Sequence, residues 1–459
     1  NSSSENDTVT SPLFSPLIAG CDRQVEVARA IFDAPKPATT FALKVKSHTL
    51  RDNFARAATG NFYSYAELVE IVRRNRQSNL AEAEAIENWD FRVLIALAHV
   101  LGNQRLSKRD LDDARTILVV VAAVFGNKVL SKEDRLFLSE IVGETGDWST
   151  AAFILEELGL AESHKIQYQF TRANQFAGKN GGVHDWLNEV NSVYKMKGMS
   201  QLTFEETHIT DIDRLRAKSV STRATHTPRP LVTVIVPTFE GAARIRTALE
   251  SLTAQTWQNL EILVVDDGSS RENVAALREI IADYPSVELV LLEANSGAYV
   301  ARNEGLRIAK GDLVTVHDDD DWSHPEKIAT QVEYLLDNKD LVGTISKHAR
   351  VTESLKFTRI NRRTEFAQNN MSSLLLRVDD AKAIGGWDEV NRGADEEFTL
   401  RLQKVTGREI GCCSETPLSF TRTHDRSLTS GEILRGFQNP SRMLYHSAFT
   451  QSHLQIDEA

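Results

Sequence analysis

The chain has 459 residues, enough for two or three domains that each bury a core. Its formal net charge of -11 argues against general nucleic-acid binding, which draws on clustered Lys and Arg, and its longest apolar run, 117–125, is too short for a membrane span of about 20 residues. Three cysteines, Cys21 and the adjacent Cys412 and Cys413, form neither a disulfide framework nor a metal-ligand spacing and fit core packing in a reducing cytoplasm.

The first ten residues are polar and acidic, without the basic and apolar regions of a signal peptide, and the chain does not begin with Met, which leaves room for a removed targeting segment. Residues 1–63 read as a partly ordered arm, because Pro12, Pro16, Pro35 and Pro37 punctuate short apolar pieces. From 64 to 218 the apolar spacing turns helical. Leu68, Ile71 and Val72 form one stripe, Val93, Leu94, Leu97 and Leu101 another, and Leu111, Ala114, Ile117, Leu118 and Val121 a third. Gly146-Asp147-Trp148 and Gly182-Val183-His184-Asp185-Trp186 each separate two helical patterns. Helices over 132–144, 149–158, 163–177 and 183–194 would then pair in units of about 35 residues, the length of a helical-hairpin repeat. The pattern resembles a degenerate tetratricopeptide-type array that would offer a groove to a protein partner; a plain helical bundle satisfies it equally. Trp89, Trp148 and Trp186 fit its core.

Residues 219–230 are polar and bounded by Pro228 and Pro230, as a linker should be. The grammar then becomes βαβ over 231–430. Near-continuous apolar runs at 231–236, 260–265, 287–292 and 313–316 alternate with helical patterns at 242–254, 272–283 and 297–309, which predicts an α/β domain with a doubly wound, mostly parallel sheet covered on both faces. The breaks after the first, second and fourth runs are Pro237-Thr238-Phe239-Glu240, Asp266-Asp267-Gly268-Ser269 and His317-Asp318-Asp319-Asp320-Asp321. All three fall at carboxyl ends of strands, the rim where open α/β sheets bind ligands. Residues 431–459 read as a C-terminal helical segment.

Four consecutive aspartates behind an apolar run are the sharpest feature. At ~4 Å and an effective dielectric near 20, each like-charged pair costs about 4 kcal/mol, so the cluster calls for a cation. A hard divalent ion, Mn²⁺ or Mg²⁺, sharing oxygen ligands with substrate phosphates meets that need; a solvated acidic loop is the plain alternative. There is no Gly-x-Gly-x-x-Gly after a strand and no phosphate loop, so a nucleotide diphosphate would lean on such an ion.

Val234-Ile235-Val236-Pro237-Thr238-Phe239, Val264-Val265-Asp266-Asp267-Gly268-Ser269-Ser270, Asn295-Ser296-Gly297 with Ala301-Arg302-Asn303, and the aspartate run occur in order. Gly385-Gly386-Trp387-Asp388-Glu389 and Gly393-Ala394-Asp395-Glu396-Glu397-Phe398 follow. Together they resemble a family-2 glycosyltransferase of the GT-A fold, over about 231–449. The resemblance implies that Pro237 and Phe239 line the base and ribose pocket with Thr238 beside them, that Asp267 meets the nucleobase, most often uracil, and that Asp319 lies near the ribose. It implies Arg302 and Asn303 in donor positioning, Asp318, Asp320 and His424 as metal ligands, and Asp395 as catalytic base. Read without the family, Asp267 caps a turn, Arg302 is a surface helix residue, and Asp395 or Glu396 favours a helix dipole.

The implied activity is inverting, metal-dependent transfer of a sugar from a UDP-sugar or other nucleotide-sugar donor to an acceptor hydroxyl on a surface glycan or lipid-linked sugar. The implied setting is the cytoplasm, with peripheral contact at the inner face of the membrane. The Gln-x-x-Arg-Trp element of processive synthases is missing. Two rivals are a nucleotidyltransferase, whose glycine-rich basic loop is absent from 237–242, and a protein-binding scaffold with an inert transferase domain.

Overall fold

The computed structural model describes residues 24–454 apart from 46, 78–82, 206–210, 218–228, 425–432 and 435–436, so Cys21 and most of the linker lie outside the described residues. The chain divides into two compact units. One is formed by Asn1–Ala161 with Ile360–Thr364 and Glu432–Gln438, the other by Glu162–Arg359 with Glu365–Gly431 and Asn439–Ala459.

The first unit is built from α1 (Gln24–Asp33), α2 (Pro35–Val45), α3 (His48–Ala58), α4 (Tyr65–Gln77), α5 (Ala83–Glu87), α6 (Phe91–Gln104), α7 (Asp110–Phe125), α8 (Lys132–Glu144) and α9 (Trp148–Glu157). The predicted stripes of α6 and α7 share its core with Ile31, Leu50 and Phe54 of the first three helices. Asp90 caps α6, and Ser131 and Asp134 cap α8 reciprocally. Where the prolines predict an irregular arm, Gln24–Asp33, Pro35–Val45 and His48–Ala58 are helical. Pro35 and Pro37 fall in the first turn of α2, where a missing N–H loses no intrahelical bond, so they open a helix instead of breaking one. The buried pair Arg51–Asp110, 2.7 Å apart, ties α3 to α7.

The second unit begins with α10 (Lys165–Ala173) and α11 (Val183–Lys195), which the helical spacing groups with the preceding helices. Both pack on the sheet domain. Phe170 stacks on Phe357 at 3.9 Å, Asn174 bonds both backbone groups of Phe357, and the Trp186 indole donates to the Leu355 carbonyl at 2.9 Å. An amphipathic stripe says that a helix must be covered, not by what, and here the cover is a strand. The short strands β1 (Leu202–Phe204) and β2 (Leu215–Ala217) follow as an antiparallel pair.

The sheet proper comprises β3 (Val232–Thr238), β4 (Leu260–Asp266), β5 (Val287–Leu291), β6 (Leu313–Val316), β7 (Trp322–Ser323), β8 (Leu341–Thr352), β9 (Phe357–Thr358), β10 (Ala367–Arg377) and β11 (Glu409–Thr423). Its order is β5-β4-β3-β6-β10-β8-β11-β7, with β9 on β8. The four predicted strands pair in parallel; beyond β6 the sheet is mixed, with β10 antiparallel to both neighbours and β11 parallel to β8. Helices α12 (Ile245–Thr253), α13 (Arg271–Ile281), α14 (Ala298–Ile308), α15 (Lys327–Asp337), α16 (Val378–Ala383), α17 (Ala394–Thr406) and α18 (Pro440–Leu454) complete the unit. Alternate residues of β3 enter opposite cores: Val232, Val234 and Val236 meet α12 and α15, while Ile235 meets α14 and α17. Gly305 allows the close approach of α14, since a Cβ there would lie 2.7 Å from Ile235 Cγ2. No helix among the described residues is long and apolar enough to cross a membrane.

Two expected outcomes follow from this packing. Phe357→Ala removes the ring shared by α10 and α11 and lowers the unfolding free energy by about 3–5 kcal/mol, read from urea denaturation followed by Trp fluorescence. Lys327 opens α15 fully inside the unit, where burial pulls its ammonium down from 10.5 to about 8 against the opposing pull of Asp321 and Asp318. Between those values the unfolded chain binds more protons, so this residue makes stability rise with pH. Lys327→Met is therefore stabilised relative to wild type below pH 8, and the difference shrinks towards 10.5 in melts across that range.

Candidate active site

The registers Thr238↔Asp266 and Ile235↔Val316 bring the carboxyl ends of β3, β4 and β6 to one rim. Pro237 and Thr238 end β3, and Phe239 follows with half its surface exposed at 51%. Glu240 takes a left-handed backbone (φ 51°) and exchanges bonds with the start of α13: its N–H donates to Ser269 Oγ at 2.8 Å, and its carboxylate accepts from the Ser270 N–H at 2.6 Å. The loop that presents Phe239 is thereby pinned. Asp266 caps the turn after β4 by accepting from the Ser269 N–H, whereas Asp267 accepts from the Ser296 and Gly297 N–H groups at 2.8 and 2.7 Å. Asp267 thus anchors the loop entering α14.

Each of the four aspartates after β6 finds a different partner. Asp318 accepts from Arg302 Nη2 at 3.1 Å, Asp319 from Thr238 Oγ1 at 2.5 Å, and Asp321 from Thr421 Oγ1 and the Arg422 N–H, both at 2.9 Å. Asp320 Oδ2 lies 2.8 Å from His424 Nε2 at the end of β11. Burial, with Asp320 next in weight, pushes Asp319 up to about 7, and burial raises Asp318 and Asp321 as well. Gly241 is required beside this cluster, since a Cβ would lie 2.1 Å from both Asp319 Oδ2 and Thr238 Oγ1. His317 is fully enclosed between the Asp318 carbonyl and Ser323 Oγ, and burial pulls it down to about 3, so it stays neutral. Arg422 holds the loop from beneath through Asp213 and the Asp320 carbonyl.

Asp395 is the second residue of α17, behind Gly393 in the left-handed region. Arg302 Nη1 donates to it at 2.5 Å and Tyr299 Oη at 3.1 Å, with Ser372 Oγ at 3.5 Å. Arg302, with a side chain only 5% exposed and its Cζ 4.9 Å from the Tyr299 ring centre, joins Asp318 to Asp395. It is a buried bridge, not a surface helix residue. Asn303 next to it clamps both backbone groups of Trp387, at 2.8 and 2.9 Å, so its amide serves the Gly-Gly-Trp loop. Of the neighbouring acids, Glu397 is consumed by Arg401 and His453, while Glu396 is half-exposed. Tyr299 and Ser372 escaped the sequence reading. Tyr299 had a signal, three residues before Arg302 on one helix face; Ser372, on a strand with no apolar alternation, had none.

Among the described residues no three His, Cys, Asp or Glu side chains converge into a complete metal-binding set. The donors present, Asp320 and His424, suit an ion that completes its shell with phosphate oxygens and water, the habit of Mg²⁺ in nucleotide sites. Asp318 is turned to Arg302 instead.

Residues 233–392 match the family described as Glycosyl transferase family 2. The chain is 38% identical over 107 residues to the uncharacterized glycosyltransferase YibD of Escherichia coli K12, covering 23% of this chain and 31% of that protein. It is 32% identical over 120 residues to an uncharacterized glycosyltransferase of Haemophilus influenzae, covering 26% and 48%. Among solved structures, S. aureus TarS 1–349 in complex with UDP-GlcNAc aligns with a TM-score of 0.37 and 20% identity over 44% of this chain and 60% of that one. The chain thus spans less than half the length of these two curated relatives, and Asp395 and His424 lie beyond the matched segment. Residues 233–392 of this chain are a glycosyltransferase family 2 domain, preceded among the described residues by helices α1 to α11 and the short strand pair β1–β2.

Proposed function

We propose that the domain over 231–430 transfers a sugar, with inversion, from a UDP-sugar to an acceptor hydroxyl in surface glycan synthesis, using Mn²⁺ or Mg²⁺. The observation that carries this reading is the Arg302 bridge between Asp318, on the aspartate loop, and Asp395, at the start of α17. It holds carboxylates from two separate elements on one rigid fork, which supports a reading in which Asp318 serves the donor and Asp395 the acceptor.

Phe239 would stack on the nucleobase, and Asp319, held by Thr238, would face the ribose. A divalent ion held by Asp320 and His424 would neutralise charge on the leaving diphosphate. Asp395 takes the proton of the acceptor hydroxyl while that oxygen bonds to the anomeric carbon and the carbon–phosphate-oxygen bond breaks. Attack opposite the leaving group in one displacement inverts the centre. Arg302, Tyr299 and Ser372 fix the direction from which Asp395 approaches, so its proton transfer needs no reorganisation of the loop. General-base assistance of this kind is worth about 10²- to 10⁴-fold.

Asp395→Asn is expected to lower UDP release from a panel of UDP-sugars and acceptors by that factor while calorimetry still records UDP binding with Mn²⁺. Asp320→Ala is expected to abolish the metal-dependent part of UDP binding. An Asp395→Asn enzyme as fast as wild type would remove the base assignment, and metal-independent UDP binding unaffected by Asp320→Ala would remove the ion.

A further inference from the structure

The aspartate loop is surrounded by cations, and most are bonded. Arg302 engages Asp318 and Asp395, Arg422 engages Asp213 and the Asp320 carbonyl, and Lys327 reaches Ser323 Oγ at 3.2 Å. Arg350 differs from these three. Its side chain makes no hydrogen bond and no ion pair among the described residues, and it is partly exposed.

Its position on β8 shows where it points. Arg350 stands opposite Thr421 of β11 and shares a strand face with His348, two residues earlier. That is the face of the aspartate loop, for His348 Nδ1 lies 2.7 Å from Thr421 Oγ1, and the same hydroxyl donates to Asp321. The electrostatics agree: burial pulls the Arg350 guanidinium down, and Asp321, Asp318 and Asp320 act against that pull. A guanidinium carries five donors, and those of Arg350, partly exposed and bonded to no described side chain, are open to a ligand from solvent. Its fork matches the oxygens of a phosphate in pairs, and it lies within reach of the field of Asp320, one of the two side chains suited to an ion.

We propose that Arg350 is a phosphate-binding residue of the cleft. The phosphate comes from one of two sources, the diphosphate of a nucleotide donor or a phosphate carried by the acceptor, and naming these sources rests on the transferase reading.

The test is calorimetric titration of the full chain with UDP, inorganic pyrophosphate and glycerol 3-phosphate, each with Mg²⁺, on wild type, Arg350→Gln and Arg350→Lys. Losing one paired, charge-assisted contact is expected to weaken binding about 10-fold or more, with partial recovery in Arg350→Lys. Weakened UDP and pyrophosphate assign the contact to the donor; weakened glycerol 3-phosphate alone assigns it to the acceptor. Melting temperatures near wild type show that neither variant acts through the fold, and should Arg350→Gln not fold, Arg350→Lys carries the comparison. The proposal is overturned if the variants bind every probe as wild type does, or if wild type binds none. Equal binding of all three probes by wild type and variants, in a protein that does bind UDP, rejects Arg350 yet leaves the transferase reading standing. Pyrophosphate binding that depends on Arg350, in a protein blind to UDP, does the reverse.

Discussion

A single buried guanidinium sets the geometry of the candidate site. Arg302 lies inside the second unit, where a charge is tolerated only when it is paired, and its pairs are Asp318 and Asp395. Everything that positions Arg302 therefore positions both carboxylates. Gly305 lets α14 press against β3, Asp267 fastens the loop that enters α14, and Asn303 locks the Trp387 loop ahead of α17. The motifs that look separate along the chain converge on one helix.

The same logic answers the electrostatic problem posed by four aspartates in a row. Burial raises Asp318, Asp319 and Asp321 and their mutual repulsion still adds to it, but the loop offsets this by giving each its own partner. Asp321 is spent on β11 and Asp319 on Thr238. Asp320, facing His424, is the member of the run whose partner is itself a metal-ligand type. A run that reads as one acidic cluster is thus four residues with four tasks.

How much of this was legible depended on the range of the signal. The parallel strands β3, β4 and β6 announced themselves because strands buried on both faces are largely apolar, while β5, partly exposed at the sheet edge, was found by its apolar residues around Glu288; their ends brought the rim together. Strands β8, β10 and β11 gave no such signal: β10 follows Ala367 with Gln368, Asn369 and Asn370, residue types poor in strands, and β11 carries polar residues around Ser414. The helical spacing found α6 to α9 but could not show that α10 and α11 are covered by Phe357 and Leu355, nearly two hundred positions further on. Proline, read as punctuation, misled at Pro35 and Pro37 because its effect depends on the turn it occupies. Arg302 carried no hint of burial in its local sequence, and Arg350 stood in an unremarked strand.

The account's central claim is that Arg302 couples Asp318 to Asp395, and a double-mutant cycle tests it most directly. UDP release would be measured for Asp318→Asn, Asp395→Asn and the pair, in the natural chain and again with Arg302→Met. Coupling through the guanidinium predicts effects that depart from additivity by more than about 0.5 kcal/mol when Arg302 is present and become additive when it is absent. Additive effects in the natural chain would contradict it, and the two carboxylates would then act independently.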